Sequence, residues 1–336
     1  MRTSKQIKQF ILDNLSSHQK DIIKATIRKF GLSRQAILKH MNALIVEERV
    51  VAYGKTRDRY YELKPIINFS KSIDIKQTFE PKIILRSQVL PNLINLPKNI
   101  NEICEFALVA LFYNILHHAN ATRLNFKIYI SQHDVHLVVS DNGIGIFSNI
   151  ANAFNFELIR IAVVEIAKGD ITSDPEHHSG DDLNAVIQMF DKVDISSSGI
   201  SLSYDNATND WKAQESKQII GTRIHLEIKT NSRRTCQDVF KQLFTKKKNM
   251  AQVPVKLARS NGEQLNTREQ AQNLLHNLKE LKKIEFDFKN IEVVGPAFAD
   301  ELVRKTKMKN QNIDISWINS SDLVDVLMSR AVNRTI

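Results

Sequence analysis

The segment Asp141-Asn142-Gly143-Ile144-Gly145 follows FKIYISQHDVHLVVS, which reads as a pair of strands. A carboxylate at Asp141 can accept from a donor such as an exocyclic amine. Two glycines two apart let the main chain turn and let a ligand come close to it. The octapeptide SDNGIGIF also fits an ordinary β-turn that ends a strand. Asn114 stands 27 residues upstream of Asp141, among Leu111, Phe112, Ile115 and Leu116. A buried amide needs partners, because leaving it unpaired costs ~1–3 kcal/mol. It can bond a neighbouring carbonyl, or hold a hydrated Mg²⁺, a hard ion that prefers oxygen.

A second set of residues has the chemistry of a polyanion reader. In LSRQAILKHMNALIVEE, Ser33 is the candidate N-cap and Ala36, Ile37, Met41, Leu44 and Ile45 form the inward stripe. Arg34, Gln35, Lys39 and Asn42 then lie on the opposite face. Lys55, Arg57 and Arg59 load the tip of a hairpin around GKTRD. Residues 1–65 hold 14 Lys/Arg against 6 Asp/Glu, a net of +8 within a chain of +10. That concentration suits double-stranded DNA. The alternative is a small solvated helical module that binds protein.

The elements that position these residues follow from pattern. At 336 residues, 42% apolar and 25% charged, the chain is expected to form two or three domains. No uninterrupted apolar run approaches the ~20 residues of a membrane span. The first 15 residues have no apolar core of a secretion signal. Cys104 and Cys236 form no CxxC pair, so a cytoplasmic chain with free thiols is expected. The adjacent pairs His117/His118 and His177/His178 do not give a clean tetrahedral metal set.

Helices at SKQIKQFILDNL and KDIIKATIRKFG, the latter closed by Gly31, precede the third helix and the hairpin. This arrangement resembles the winged helix-turn-helix family over about residues 4–64. The resemblance implies that the third helix enters the major groove and the hairpin touches the backbone beside it. Pro65 and residues 66–82 read as a connector.

The apolar helix carrying Asn114, the Asp141–Gly145 motif, HHSGDDLNAVIQMFDKVDISS and IIGTRIHLEI occur in the order found in the GHKL ATPase fold of gyrase, the Hsp90 chaperone, MutL and histidine kinases. The chain resembles that family over residues 83–232. The resemblance implies that Asn114 coordinates Mg²⁺ and Asp141 receives the adenine amine. It also places Gly143, Gly145, Gly180 and Thr222 around ATP or ADP, with the glycines making room for adenine. Hydrolysing members carry a general-base Glu four residues before the Asn, where this chain has Ala110. Glu105 lies nine residues before it. Asp182 stands where the lid pattern has a glycine, close to the expected phosphates.

After a second connector at 233–253, residues 254–336 alternate strand and helix. An amphipathic helix is expected over TREQAQNLLHNLKELKK. The run IEFDFKNIEVVGPAFADELVRK resembles the STAS-like domain of some bacterial regulators, related to anti-anti-sigma factors. Gly295, Pro296 and Ala297 occupy the turn where switches of that class carry a phosphorylatable Ser. Asp300 and Glu301 suit either the helix dipole or docking of a protein partner.

The expected fold class is multidomain α/β and α+β: winged helix, GHKL α/β sandwich and small STAS-like α/β domain. The expected function is a DNA-binding transcriptional regulator whose middle domain binds adenine nucleotide with little or no hydrolysis. The rivals are an anti-sigma-type protein kinase or slow ATPase, and a non-catalytic scaffold. A protein partner for the C-terminal part and a homodimer are further expected partners, and a membrane is not.

Overall fold

The computed structural model describes residues 4–15, 17–55, 58–75, 80–93, 95–169, 171, 181–247, 250–259, 263–276 and 281–335. The chain divides into two compact units, Met1–Phe69 with Ile128–His136 and Lys229–Asn231, and Ser70–Lys127, Leu137–Ile228 and Ser232–Ile336.

The first unit begins with α1 (Ser4–Asn14), α2 (Ile22–Phe30) and α3 (Arg34–Val46), followed by β1 (Val50–Tyr53) and β2 (Tyr60–Leu63). α2 ends at Gly31, whose φ of 65° is a left-handed conformation that glycine adopts without a Cβ clash. Two residues on, the Ser33 hydroxyl accepts from the Ala36 N–H and starts α3. The core joins Ile7, Ile11 and Leu15 of the first helical segment to Ile22, to Ile37, Met41 and Leu44, and to Val50 and Leu63. β1 and β2 pair antiparallel, with Tyr53 opposite Tyr60 and their rings stacked 5.1 Å apart.

The chain at 128–136 completes this unit. The Tyr129 hydroxyl donates to the Leu63 carbonyl at 2.8 Å. Arg49 Nε donates to Gln132 at 2.9 Å, and the Ile66 N–H to the Ile130 carbonyl at 2.6 Å. Asp134, 2% exposed, is paired with Lys229 at 2.5 Å.

The rest of the chain contributes β3 (Ile67–Asp74), then α4 (Pro81–Ile84), which runs on through a π turn and a 3₁₀ turn to Asn92. Then come α5 (Lys98–His118), β4 (Arg123–Ile130), β5 (Asp134–Asp141), α6 (Ile146–Ala153), α7 (Ile159–Lys168) and α8 (Asp181–Met189). β6 (Lys192–Ser197), β7 (Ile200–Asp205), β8 (Asp210–Glu215) and β9 (Thr222–Lys229) follow. Strands β3 to β9 form one sheet of order β3-β4-β5-β9-β6-β7-β8. Alternate residues such as Leu137 and Val139, or Ile224 and Leu226, are buried, as period-two side-chain placement requires. α5 has the length and composition of a membrane span, yet half of its most apolar window is buried inside the protein. It serves as a core helix, with Phe112 against Phe126 of β4 at 5.4 Å.

The C-terminal part adds α9 (Cys236–Lys247), β10 (Met250–Pro254), α10 (Arg268–Gln272), β11 (Lys283–Asp287), α11 (Pro296–Lys309), β12 (Asp314–Ile318) and α12 (Asp322–Thr335). β10, β11 and β12 make a parallel three-stranded sheet in that order.

Several sequence expectations change here. Residues 67–74 are a strand of the large sheet, and α9 and β10 are regular elements, so neither 66–82 nor 233–253 is a bare connector. The long helix expected from Thr267 stops at Gln272. The reason is tertiary. Lys168 donates to the carbonyls of Leu274 and His276, at 3.3 and 2.8 Å, and Lys309 donates to that of Leu275. These carbonyls bond outside the segment where a longer helix would have bonded them within it.

Candidate functional site

A cavity of ≈ 100 Å³ opens where α5, β5, α6, α8 and β9 meet. Asn114, Asp141, Gly145 and Thr222, spread over 109 residues of sequence, all line it. Leu111, Ile115, Val139, Ile146, Ile150 and Ile224 supply apolar wall. The space is on the scale of one flat ring, since an apolar cavity of about 150 Å³ accepts benzene.

Asp141 ends β5 and is 7% exposed. Burial pushes its carboxyl above the ordinary range, and backbone N–H groups of Gly143 and Thr222 oppose that only in part. The Gly143 N–H donates to Oδ1 at 2.7 Å. Among the described residues, no Lys or Arg lines the cavity. Asn114 is half-buried, and its side-chain amide has no hydrogen-bond partner among the described residues. Both groups therefore keep capacity for a ligand. An amide oxygen free in this way fits a water-bridged Mg²⁺. The Thr222 hydroxyl accepts the Ile146 N–H at 2.8 Å, serving as a cap for α6.

The glycines have a role in the protein's own packing. A Cβ on Gly143 would stand 2.0 Å from the Ala119 carbonyl oxygen. On Gly145 (φ +85°) it would stand 2.4 Å from Ser197 Oγ, and on Gly221 2.2 Å from the Asp141 carbonyl oxygen. They make room for the protein's own chain, and the cavity floor is the result. Ser197 secures the same floor by donating to the Gly221 carbonyl at 3.0 Å. Asn142 ties the loop to the start of β4 by accepting from the N–H groups of Thr122 and Arg123.

Gly180 lies outside the described residues, as do His177 and His178. Asp182, in the first turn of α8, is exposed and lines the cavity. Sequence reading missed His118 and Asn149, which line it as well. For Asn149 a signal existed: Ile146, Asn149 and Ile150 share one helical face, so a polar residue interrupts an apolar stripe.

In the first unit, Arg34, Gln35, Lys39 and Asn42 are exposed on α3, while Ile37, Met41 and Leu44 of the same helix are fully buried. Lys55 and Arg59 are exposed at the hairpin, and the Arg59 guanidinium sits 5.4 Å from the Tyr61 ring centroid. Arg57 lies outside the described residues. The acids of this unit are largely matched: Glu47 pairs with Lys8, Glu48 with Lys64 at 3.0 Å, and Asp21 with His18 at 2.9 Å.

In the C-terminal part Glu301 is 1% exposed and accepts from Gln272 at 2.6 Å and from Arg304 at 3.1 Å. It braces α11 on α10. Asp300 pairs with Arg334 at 3.4 Å. Residues 270–325 match the family model described as "STAS-like domain of unknown function (DUF4325)". This segment is STAS-like. No curated protein matches the chain. The STAS-like segment meets α7 through Lys168, which is paired with Glu165 and donates to the carbonyls of Leu274 and His276. Ahead of that segment, Lys256 pairs with Asp210. The His276 ring lies 5.0 Å from that of Phe156, tilted by 59°, and burial, with Lys309 and Lys168 nearby, pushes its pKa down to about 4.

Proposed function

We propose that this chain is a DNA-binding transcriptional regulator that takes adenine nucleotide as its signal. The observation that carries this reading is the convergence of Asn114, Asp141, Gly145 and Thr222 on one cavity with a buried carboxylate that no cation among the described residues neutralises. A buried acid without a cationic partner favours a ligand that brings its own donor, as an adenine amine does. The cavity belongs, on this reading, to a GHKL-type domain. Mg²⁺, when bound, would neutralise phosphate charge, and Asn114 is the residue that would hold it.

The three helices and hairpin of the first unit act, on the same reading, as a winged helix-turn-helix. Arg34, Gln35, Lys39 and Asn42 face the major groove, and Lys55, Arg57 and Arg59 the flanking backbone. Hydrolysis is not part of the proposal: Ala110, on α5 one turn before Asn114, has no group to activate water.

The test is a fluorescence-anisotropy titration of duplex DNA with the full-length protein, at saturating ATP, at saturating ADP and with neither. A nucleotide signal requires the curves to separate, by roughly 5–150-fold in affinity, and DNA must shift nucleotide affinity by the same factor. Superimposed curves despite measured nucleotide binding would reduce the cavity to a scaffold.

A further inference from the structure

The cavity wall has a sign. Among the described residues, its polar ones are Asn114, His118, Asp141, Asn149, Asp182 and Thr222, two of them carboxylates, and none is Lys or Arg. Asp182 stands in the first turn of α8, where a bound anion would gain most from the helix backbone. The chain puts its own carboxylate there. A flat heterocycle entering the cavity meets apolar side chains and the acceptor Asp141. A polyphosphate attached to it meets Asp182, with no cation among the lining residues to offset the repulsion.

We propose that the site selects adenine ligands with few or no phosphates, of the adenosine or AMP class, over ATP, and that Asp182 sets this selectivity. The inference rests on the adenine reading above. The same carboxylate could instead join Asn114 in holding Mg²⁺ and so draw MgATP in, since Mg²⁺ is commonly bound by one or two carboxylates plus phosphate. The two roles predict opposite signs for one substitution.

The experiment is calorimetric titration of the full-length protein with adenosine, AMP, ADP and ATP, in EDTA and in Mg²⁺. Affinity is expected to fall with added phosphates, with ATP about tenfold or more weaker than adenosine, the scale of one like-charge pair near a protein surface. Asp182→Asn should raise the ATP-to-adenosine affinity ratio about tenfold. Added salt should raise that ratio in the wild type, because screening weakens repulsion. Three results would overturn the proposal: wild type binding ATP as tightly as adenosine, a ratio unmoved by Asp182→Asn, or weaker MgATP binding in that variant. If the wild type binds none of the four, the adenine reading itself fails. If adenosine binds but the order is inverted, only the selectivity fails.

Discussion

The second unit buries charge in two opposite ways. Where the C-terminal part packs on the rest, Glu165 meets Lys168 and Asp210 meets Lys256. At the end of β5, Asp141 is buried with two backbone N–H groups and, among the described residues, no cation. Matched ions hold two parts of a chain in one arrangement. An unmatched carboxylate lowers stability, and its presence is better explained by what it can receive.

The largest test of the contrast is Lys168→Met. It removes the cation paired with buried Glu165 and the donor from two carbonyls, so stability should fall by ~3–5 kcal/mol in urea denaturation. The double variant Glu165→Leu/Lys168→Met should recover part of this, because the buried charge is gone. A single-variant loss under about 1 kcal/mol would show that matching is not what holds the junction.

Next in size is Asp141→Asn. Loss of a charged acceptor should weaken adenine-ligand binding by about 10–100-fold, read by calorimetry. Its effect on folding should have the other sign. A carboxyl whose folded pKa lies above its unfolded value binds its proton more tightly when folded. Stability therefore falls as pH rises through that interval, starting near the ordinary 3.8, and the loss persists at neutral pH. The variant should melt no earlier than wild type. Early melting would place Asp141 with the structural charges.

Smaller effects are expected on α3. Its Arg34 and Lys39 are exposed. Alanine at either should reduce the salt slope of DNA binding by about 0.9 for each phosphate that is no longer neutralised. An affinity decrease with the slope unchanged would assign that residue to base edges.

The mildest effect concerns His276. Its folded pKa of about 4 lies below the ordinary 6.5, so the unfolded chain takes up the proton first. Stability should decline as pH falls from about 6.5 towards about 4. His276→Gln should flatten that part of the pH–stability curve.

Legibility followed the range of the forces involved. The end of α2 at Gly31 and the start of α3 at Ser33 were readable because caps act within four residues. Asn114, Asp141 and Thr222 were readable as a set because their types and order carry a resemblance. The reason for Gly143 and Gly145 was not, since Ala119 and Ser197 are remote in sequence and only the fold brings them near. β3 reads INFSKSID, with too few apolar residues to announce a strand, and it lies at an edge of its sheet. α10 is shorter than its amphipathic pattern because lysines from α7 and α11 take the carbonyls that would have extended it.

The hydrogen bond from Tyr129 to Leu63 bears on how the molecule can be taken apart. A truncation at Pro65 looks like a natural cut, yet it discards Tyr129, Gln132 and the Ile130 carbonyl that finish the first unit. Residues 1–65 produced alone would lack the attachments made at Leu63 and Arg49. Supplied with the remainder as a separate chain, they should reassemble as complementing halves. A gene fusion or reporter that borrows this unit should therefore carry the β4–β5 turn with it.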